Sequence, residues 1–193
     1  MSEALTYTEP NAILIEECRQ GKNEAFKQVY DLYSSAMYTI CCRMLNDKEE
    51  AKDVLQESFI SAFKNIHQYS GKASFGSWLK RIVINACIAT IKKRNADLIP
   101  LAERDLPEEP LEEDTGMKYT IEDVKTAMNE LADGYRMILS LYLFEDHSHK
   151  MIAEKLNISE GTSKSQYSRA RKKLSGLLKK QDNQNQDARQ VEE

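Results

Sequence analysis

The sequence contains few of the residues that interrupt helices, with seven glycines and four prolines among its 193 residues. Leucine, isoleucine, alanine, glutamate and lysine are plentiful, and they suit helical backbone better than glycine or proline does. The composition therefore predicts an all-α fold. A chain of this length can form one domain of ordinary size or two small ones.

The chain also lacks the features of membrane, secreted and zinc-binding proteins. No apolar run approaches the roughly 20 residues that span a bilayer, and no charged-then-apolar leader begins the sequence. The four cysteines include no C-x-x-C pair, and no histidine lies at zinc-ligand spacing from a cysteine. Cys41 and Cys42 are adjacent within an apolar helical pattern, which favours buried thiols in a reducing compartment. We expect a cytoplasmic protein without membrane insertion, metal or cofactor.

Signatures of catalysis are missing as well. The sequence has no Gly-rich phosphate loop, no nucleophile elbow and no cluster of metal ligands. An enzyme is therefore not expected, and the function has to be sought among binding proteins.

The net charge of −4 conceals a strong segregation of charge along the chain. Residues 147–180 carry nine bases and two acids, a balance of +7, whereas residues 95–116 carry eight acids and one base, a balance of −7. The acidic stretch holds three of the four prolines and has no helical periodicity, which predicts an extended linker. We therefore predict two domains, at residues 1–94 and 119–180, joined by a linker at residues 95–118. A polar tail at residues 181–193 is expected to be disordered.

Four helices are predicted in the first domain, because apolar residues recur there at helical spacing. The first helix covers residues 11–20. Asn23 is the expected cap of the second helix. Asp47 and Glu50 are expected to form an acidic capping box for a third helix at residues 48–67.

A compact polar patch is predicted on the third helix. Asp53, Gln56 and Glu57 are spaced at i, i+3 and i+4, so they share one side of the helix. The apolar Ile60 lies next to them. The pattern fits either a protein-binding surface or an ordinary solvated face, and the residues alone leave both open.

Aromatic and basic residues alternate in a predicted loop at residues 69–77 and in the fourth helix that follows. The rings belong to Tyr69, Phe75 and Trp78, and the cations to Lys72, Lys80, Arg81 and the run Lys92–Arg94. Rings can stack on unpaired bases and cations can hold phosphates, so the pattern is typical of single-stranded nucleic-acid binding. Core aromatics beside surface lysines would give the same pattern.

Residues 147–180 have the pattern of a helix-turn-helix. Ile152, Ala153 and Leu156 share one face of a short first helix. In the turn that follows, Asn157 tolerates left-handed backbone and Ser159 can cap the next helix. The second helix has an inward stripe (Ser163, Tyr167, Ala170, Leu174, Leu177) and an outward face (Ser165, Ser168, Arg169, Lys172, with Lys164 and Arg171 at its edge). Such a helix can enter a DNA groove, and a solvated basic helix is the alternative.

Taken in order, these segments resemble the extracytoplasmic-function (ECF) sigma factors of bacterial RNA polymerase. The resemblance covers about residues 11–180. The blocks that carry it are Gly21 with Glu24-Ala25-Phe26 and Tyr30-Tyr33, Ala51–Phe59, Phe75–Ile82 with Asn85, and Glu160–Ser165 with Ser168–Leu174. It implies a protein that binds core polymerase, directs it to the −10 and −35 promoter elements and helps to open the DNA.

The resemblance implies a role for each surface. Core polymerase would bind at Asp53, Gln56, Glu57 and Ile60. The −10 element would be recognised and melted by Tyr69, Lys72, Phe75, Trp78, Lys80, Arg81 and Asn85. The −35 element would be bound by Thr162, Lys164, Ser165, Ser168, Arg169, Arg171 and Lys172. A single helix predicted at Val124–Phe144 would meet the polymerase flap, and the acidic linker would thread the RNA exit channel.

The resemblance also implies an anti-sigma factor as a partner besides core polymerase and promoter DNA, and we expect the free chain to be a monomer.

Three positions depart from the family pattern: Ser163 and Tyr167 replace the more frequent valine and leucine, and Gln166 replaces a common arginine. Two other classes stay open, a dimeric repressor or activator and an all-helical anti-sigma or adaptor protein. The aromatic-basic loop and the acidic-polar helix favour the sigma factor over both.

Overall fold

The computed structural model describes residues 9–94 and 119–191, with side chains as far as residue 183. Every regular element in these two stretches is helical, which confirms the predicted all-α fold. None of the described helices combines the length and the apolar character needed to cross a membrane. The chain divides into two compact units, Met1–Arg94 and Asn95–Glu193. The predicted linker at 95–118 lies outside the described residues.

The described part of the first unit, residues 9–94, consists of four α-helices and one 3₁₀ turn. The helices are α1 (Ala12–Arg19), α2 (Asn23–Leu45), α3 (Lys48–Lys64) and α4 (Phe75–Arg94), and the 3₁₀ turn is Ile66–Gln68. Helices α2, α3 and α4 pack on one another. Their shared core includes Val29, Met44, Leu45, Leu55, Phe59, Leu79, Val83 and Ile91.

Local backbone chemistry determines where several of these helices end and start, and it confirms the predicted role of Asp47 as a cap. Gly21 follows α1 with a φ of +77°, a conformation that glycine adopts without strain. Asn46 ends α2 in the left-handed region, with a φ of 60°. Asp47 then caps α3, because its Oδ1 accepts the backbone N–H groups of Glu49 and Glu50, each at 2.9 Å.

Two predicted caps are wrong. Helix α2 begins at Asn23 itself, and Lys22 occupies the cap position without a side-chain cap bond. Glu50 does not complete a capping box with Asp47. Its carboxylate instead pairs with Arg94 Nη1 at 2.6 Å, which ties the end of α4 to the start of α3. Such a long-range pair cannot be read from local spacing.

The third helix is shorter than predicted. It ends at Lys64, because the backbone of Asn65 leaves the helical region and its side-chain amide donates to the carbonyl oxygen of Ser61 at 2.8 Å. Ile66 is nevertheless buried, in the 3₁₀ turn that follows. Helix α4 begins at Phe75, so the loop covers residues 69–74 rather than 69–77.

The second unit contains, within residues 119–191, helices α5 (Ile121–Glu130), α6 (Asp133–Leu143), α7 (His149–Leu156) and α8 (Glu160–Val191). Helix α8 packs on each of the other three. Met128, Leu131, Leu139 and Ala170 form a buried cluster. The inward stripe predicted for the last helix is confirmed in its main part, since Ala170 is buried and Tyr167, Leu174 and Leu177 pack against this cluster.

The single helix predicted at Val124–Phe144 is wrong, because the chain breaks between α5 and α6. Leu131 has extended backbone, with a ψ of 144°. The Arg136 side chain is almost completely buried and stabilises the break, since its Nη1 donates to the carbonyl oxygen of Leu131 at 2.6 Å. Its Nη2 pairs with the Asp133 carboxylate at the start of α6. A buried arginine that satisfies freed carbonyl groups is not visible in an apolar periodicity.

The polar tail also differs from its prediction. Helix α8 continues to Val191, well beyond Lys180, although residues 181–193 were expected to be disordered. Once a helix is nucleated, each further residue adds a backbone hydrogen bond, so extension does not require an apolar stripe. Gln181 adds a link to α5, because its Nε2 donates to Glu130 Oε1 at 3.3 Å.

All four cysteines are free thiols. Cys18, Cys41 and Cys87 are buried and Cys42 is half-buried, which confirms the buried thiols expected from the apolar pattern. Burial is the main cause that raises the pKa of Cys18 to about 11. This thiol is therefore protonated and unreactive at neutral pH.

Candidate functional site

The polar patch of α3 lies on the solvent side of the helix. Asp53, Gln56 and Glu57 are exposed, and Ile60 beside them is 47% exposed. The opposite side of α3 is buried and packs in the core of the unit (Ala51, Val54, Leu55, Ser58, Phe59, Ala62). Ile60 adds an apolar side chain to this polar face, and a surface that combines apolar and polar groups has the composition of a protein interface.

The three rings of the loop and of α4 form one cluster. The ring centroids of Tyr69, Phe75 and Trp78 lie 5.4 to 5.7 Å from one another. Tyr69 and Phe75 are 5% and 0% exposed, and Trp78 is half-buried. In this conformation Tyr69 and Phe75 therefore do not offer a ring to an unpaired base, contrary to the expectation from the sequence. Trp78 is the one member of this cluster that is partly accessible to solvent.

The polar residues predicted for this surface are more accessible than the rings. Lys72, Arg81 and Asn85 are exposed, and Lys80 is half-buried. Arg81 and Asn85 are four residues apart on α4 and therefore share one side of the helix. Lys92 and Lys93 are also exposed, near the other end of α4.

The first turn of α4 depends on a glycine and on a serine cap. Ser74 Oγ accepts the backbone N–H of Ser77 at 3.1 Å. A Cβ atom added to Gly76 would lie 3.1 Å from Cε1 of Tyr33, which is too close for ordinary contact. Glycine therefore allows the Tyr33 ring to approach α4, where it also packs at 5.5 Å from Phe75.

A residue that the sequence did not single out joins the two ends of the Tyr69–Ser74 loop. Glu9 Oε2 accepts the Tyr69 hydroxyl at 3.0 Å and the backbone N–H of Phe75 at 2.7 Å. Arg19 Nη2 donates to the carbonyl oxygen of Tyr69 at 2.6 Å. The partners are 50 to 66 residues apart, so no local motif could have revealed them.

The helix-turn-helix has the predicted turn chemistry. Ser148 caps α7, because its Oγ accepts the backbone N–H of Met151 at 3.3 Å. Asn157 ends α7 with a left-handed φ of 59°. Ser159 Oγ accepts the backbone N–H of Thr162 at 2.9 Å and so caps the start of α8. Caps of this kind stabilise a helix start by about 1 kcal/mol.

The outward face of α8 carries the predicted polar and basic residues. Lys164, Arg171 and Lys172 are exposed, and Thr162, Ser165, Ser168 and Arg169 are half-buried. Gln166 is only 5% exposed and lies on the inner side of the helix. The departure from the family arginine at this position is therefore accommodated in the packing of α8.

The inner side of α8 packs on a polar aromatic cluster. Tyr142 lies with its ring centroid 4.6 Å from that of His149 and 4.4 Å from that of Tyr167. His149 Nδ1 lies 3.0 Å from Ser163 Oγ, within hydrogen-bond distance. This contact explains a buried serine where valine is more frequent, because its hydroxyl has a partner. Burial first, and then the nearby Lys164 ammonium, lower the pKa of His149.

Two of the cations on α8 are held by neighbours on the same helix. Lys164 Nζ pairs with Glu160 at 2.9 Å across one helical turn. The guanidinium carbon of Arg171 lies 5.8 Å from the centroid of the Tyr167 ring, which is within cation–π range. Among the described residues, no group of histidine, cysteine and acidic side chains could hold a metal ion.

Two family descriptions match the chain. "Sigma-70 region 2" matches residues 29–96, which include α3, the Tyr69–Ser74 loop and α4. "Sigma-70, region 4" matches residues 121–174, which include the helix-turn-helix. The ECF RNA polymerase sigma factor SigW of Bacillus subtilis (strain 168) is 30% identical over 177 residues, or 86% of this chain and 95% of the relative.

Further comparisons agree. The ECF RNA polymerase sigma factor SigM of the same organism is 32% identical over 157 residues, covering 78% of this chain and 93% of the relative. The sigma factor RpoE from Bartonella quintana, solved in complex with the anti-sigma factor NepR, has a TM-score of 0.53 and 25% identity, covering 80% of this chain and 96% of that chain.

The helical fold and the two matched regions define a promoter-recognising sigma factor of RNA polymerase. More narrowly, the chain belongs to the ECF RNA polymerase sigma factors. Members of this family are transcription initiation factors, so the predicted class and function are confirmed. The roles of individual residues stay predictions.

Proposed function

We propose that the α3 patch is the surface with which this sigma factor binds core RNA polymerase. Asp53, Gln56 and Glu57 supply polar contacts, and Ile60 supplies the apolar contact that a stable interface needs near its centre. The observation that supports this role is that the three polar side chains and Ile60 are all exposed on the same side of α3. The protein acts in the cytoplasm as a monomer when free, and it performs no catalysis of its own.

The Tyr69–Ser74 loop and α4 recognise and open the −10 element. Lys72 and Arg81 contact phosphates, and Asn85 contributes to recognition. Trp78, which is half-buried, contacts a freed base. Tyr69 and Phe75 act from the core, by supporting Trp78, because both rings are covered in the free protein. This assignment uses six of the seven predicted residues, all but Lys80, and divides them between contact and support.

The outward face of α8 binds the −35 element. Ser165 and Arg169 read base edges near the start of the helix, with Thr162 and Ser168 beside them, because a recognition helix contacts bases by its N-terminal residues. Lys164, Arg171 and Lys172 hold phosphates, which position the helix without reading sequence. The cap at Ser159 fixes where this helix begins.

An anti-sigma factor controls the protein. The related sigma factor from Bartonella quintana was solved with such a partner, and the similarity covers most of both chains. We assign the same class of partner to this chain.

Reconstitution tests the proposed function as a whole. The purified full chain is mixed with core polymerase, and promoters are selected from a pool of random upstream sequences by run-off transcription. We expect co-elution with the core enzyme and start sites that depend on conserved elements near −10 and −35. A chain that binds duplex DNA tightly as a dimer, and that neither co-elutes nor starts transcription, would contradict the proposal.

A further inference from the structure

The side chain of Glu9 lies at the base of the Tyr69–Ser74 loop. One oxygen, Oε2, lies 3.0 Å from the hydroxyl of Tyr69, the first residue of the loop, and this hydroxyl is shared with the carbonyl oxygen of Ala73 at 2.6 Å. Glu9 Oε2 also accepts the backbone N–H of Phe75, the residue after the loop, at 2.7 Å. The other oxygen accepts the backbone N–H of Asn11 at 3.2 Å. A single carboxylate thus joins both ends of the loop to the segment before α1.

The hydrogen bonds that Glu9 accepts are made to a carboxylate. A carboxylate acceptor makes shorter and stronger hydrogen bonds than a neutral acceptor. Phe75 is the first residue of α4, whose N-terminal N–H groups have no partner within the helix and carry the positive end of its dipole. Arg19 adds a further bond to the loop from α1, through the carbonyl oxygen of Tyr69.

Glu9 acts on the loop without being placed to touch DNA. It is half-buried, and both of its oxygens accept hydrogen bonds from the protein. Lys72, by contrast, is exposed in the loop, and Trp78, one turn into α4, is half-buried. The position of both depends on where the loop begins and ends.

We propose that Glu9 is a positioning residue for promoter opening: its carboxylate fixes both ends of the Tyr69–Ser74 loop, so that Lys72 and Trp78 are held in place to capture the opened −10 strand. The proposal rests on the function proposed above for this loop. It adds a residue that lies outside the matched sigma region, which begins at residue 29.

Trp78 provides a direct reporter of the loop. It is the only tryptophan of the chain, and its ring centroid lies 5.7 Å from that of Tyr69. The test variant is Glu9→Gln, which keeps the shape of the side chain and removes its charge. The matched control is Glu50→Gln, which removes the charge from the pair that Glu50 forms with Arg94 at the other end of α4.

Three measurements are made on the full chain and on its holoenzyme. The unfolding free energy compares the stability of the two variants. Acrylamide quenching of Trp78 fluorescence measures access to the loop. A fluorescent base in the −10 element follows strand opening on duplex and on pre-melted templates. For Glu9→Gln we expect stronger quenching and opening about tenfold slower on duplex DNA, equivalent to about 1.4 kcal/mol in the barrier. Binding to core polymerase stays unchanged.

The control separates positioning from general stability. Glu50→Gln is expected to lower stability without changing the quenching of Trp78 or the rate of opening. The proposal would be overturned if promoter opening became slower in both variants in proportion to their loss of stability. So would a Glu9→Gln holoenzyme that opens the promoter at the wild-type rate, whatever the quenching shows.

A second variant covers the case in which Glu9→Gln does not fold. Tyr69→Phe keeps the buried ring and removes the hydroxyl that is shared by Glu9 and the carbonyl oxygen of Ala73, so it should shift quenching and opening in the same direction. No change in either would contradict the proposal. A wild-type holoenzyme that fails to open any promoter would contradict the proposed function itself. A wild-type holoenzyme that opens promoters, together with a Glu9→Gln holoenzyme that opens them equally fast, would contradict only the role of Glu9.

Discussion

The two surfaces proposed to bind DNA are built by different kinds of contact. The Tyr69–Ser74 loop is fixed by partners 50 to 66 residues away in sequence, namely Arg19 and Glu9. The start of α8 is fixed by Ser159, which bonds to a residue three positions away. The ends of the loop therefore depend on distant residues of the first unit as well as on the local Tyr69–Ala73 contact, whereas the cap at the start of α8 depends on its own segment.

This difference matches the tasks proposed for the two surfaces. A recognition helix has to present a rigid row of side chains to duplex DNA, and local caps suffice to fix such a row. A loop that captures a freed base has no regular backbone to define it, so its ends need anchors from elsewhere. The predictions below separate the two surfaces from each other and from the polymerase-binding patch.

The largest effect is expected at the α3 patch, which serves both DNA surfaces by recruiting the polymerase. Charge reversal in the double variant Asp53→Lys/Glu57→Lys should weaken binding to core polymerase by about 2 kcal/mol or more for each group that becomes buried, or about thirtyfold each. Fluorescence anisotropy of a labelled chain titrated with core enzyme measures the affinity. The isolated chain should keep its stability, because both side chains are exposed.

The matched control reverses two other exposed acids of the same unit, Glu24 and Asp31 on α2. The net charge changes by the same amount in both double variants. If core polymerase binds the two variants equally well, the α3 patch is an ordinary solvated face.

A second pair of variants sharpens the description of the α8 surface. Arg169→Ala should reduce affinity for the preferred −35 element by about 1–3 kcal/mol and change binding to mismatched DNA little, because a base contact is specific for one position. Lys172→Ala should weaken binding to all sequences alike and make the salt dependence shallower by about one unit. Both are measured on the holoenzyme. A uniform loss for Arg169→Ala would reassign it as a phosphate contact.

The contrast between the surfaces also explains what could be predicted from the sequence. Asn157 and Ser159 could be assigned to the turn of the helix-turn-helix, and Asp47 to the cap of α3, because each acts on backbone within four residues. The family and the polar faces of α3 and α8 were likewise recognisable, since helical spacing determines which side chains share a face.

Features that depend on distant partners could not be predicted. Glu9 and Glu50 each act on a residue more than 40 positions away. The break between α5 and α6 is stabilised by a buried arginine, and an apolar pattern gives no sign of it. The rings of Tyr69 and Phe75 illustrate the same limit, because alternating aromatic and basic residues do not indicate which rings the fold covers.

A smaller effect is expected from the cap of α8. Ser159→Ala should lower the free energy of unfolding of the second unit by about 1 kcal/mol, whereas Ser159→Gly should lower it by only a few tenths. Chemical denaturation of the full chain, followed by amide hydrogen exchange of each unit, measures both. The fluorescence of Trp78, in the first unit, should not change. A Ser159→Ala variant as stable as the wild type would show that the hydroxyl does not act as a cap.

The smallest effect is a pH dependence carried by His149. Burial and the Lys164 ammonium lower its pKa from the usual 6.5, and the Glu160 carboxylate opposes this shift. As the pH falls below about 6.5, the unfolded chain takes up a proton that the folded chain still resists, so the free energy of unfolding decreases until the lowered pKa is reached. Above that range both states are neutral at this position and stability does not depend on it.

Denaturation of the full chain between pH 7.5 and 5.0 measures this dependence, with hydrogen exchange to resolve the second unit. His149→Gln should remove this part of the dependence, and His67→Gln, at an exposed position of the first unit, should leave it unchanged. A second unit whose stability rises as the pH falls through this range would mean that the cluster of His149 with Tyr142 and Tyr167 favours the charged imidazole.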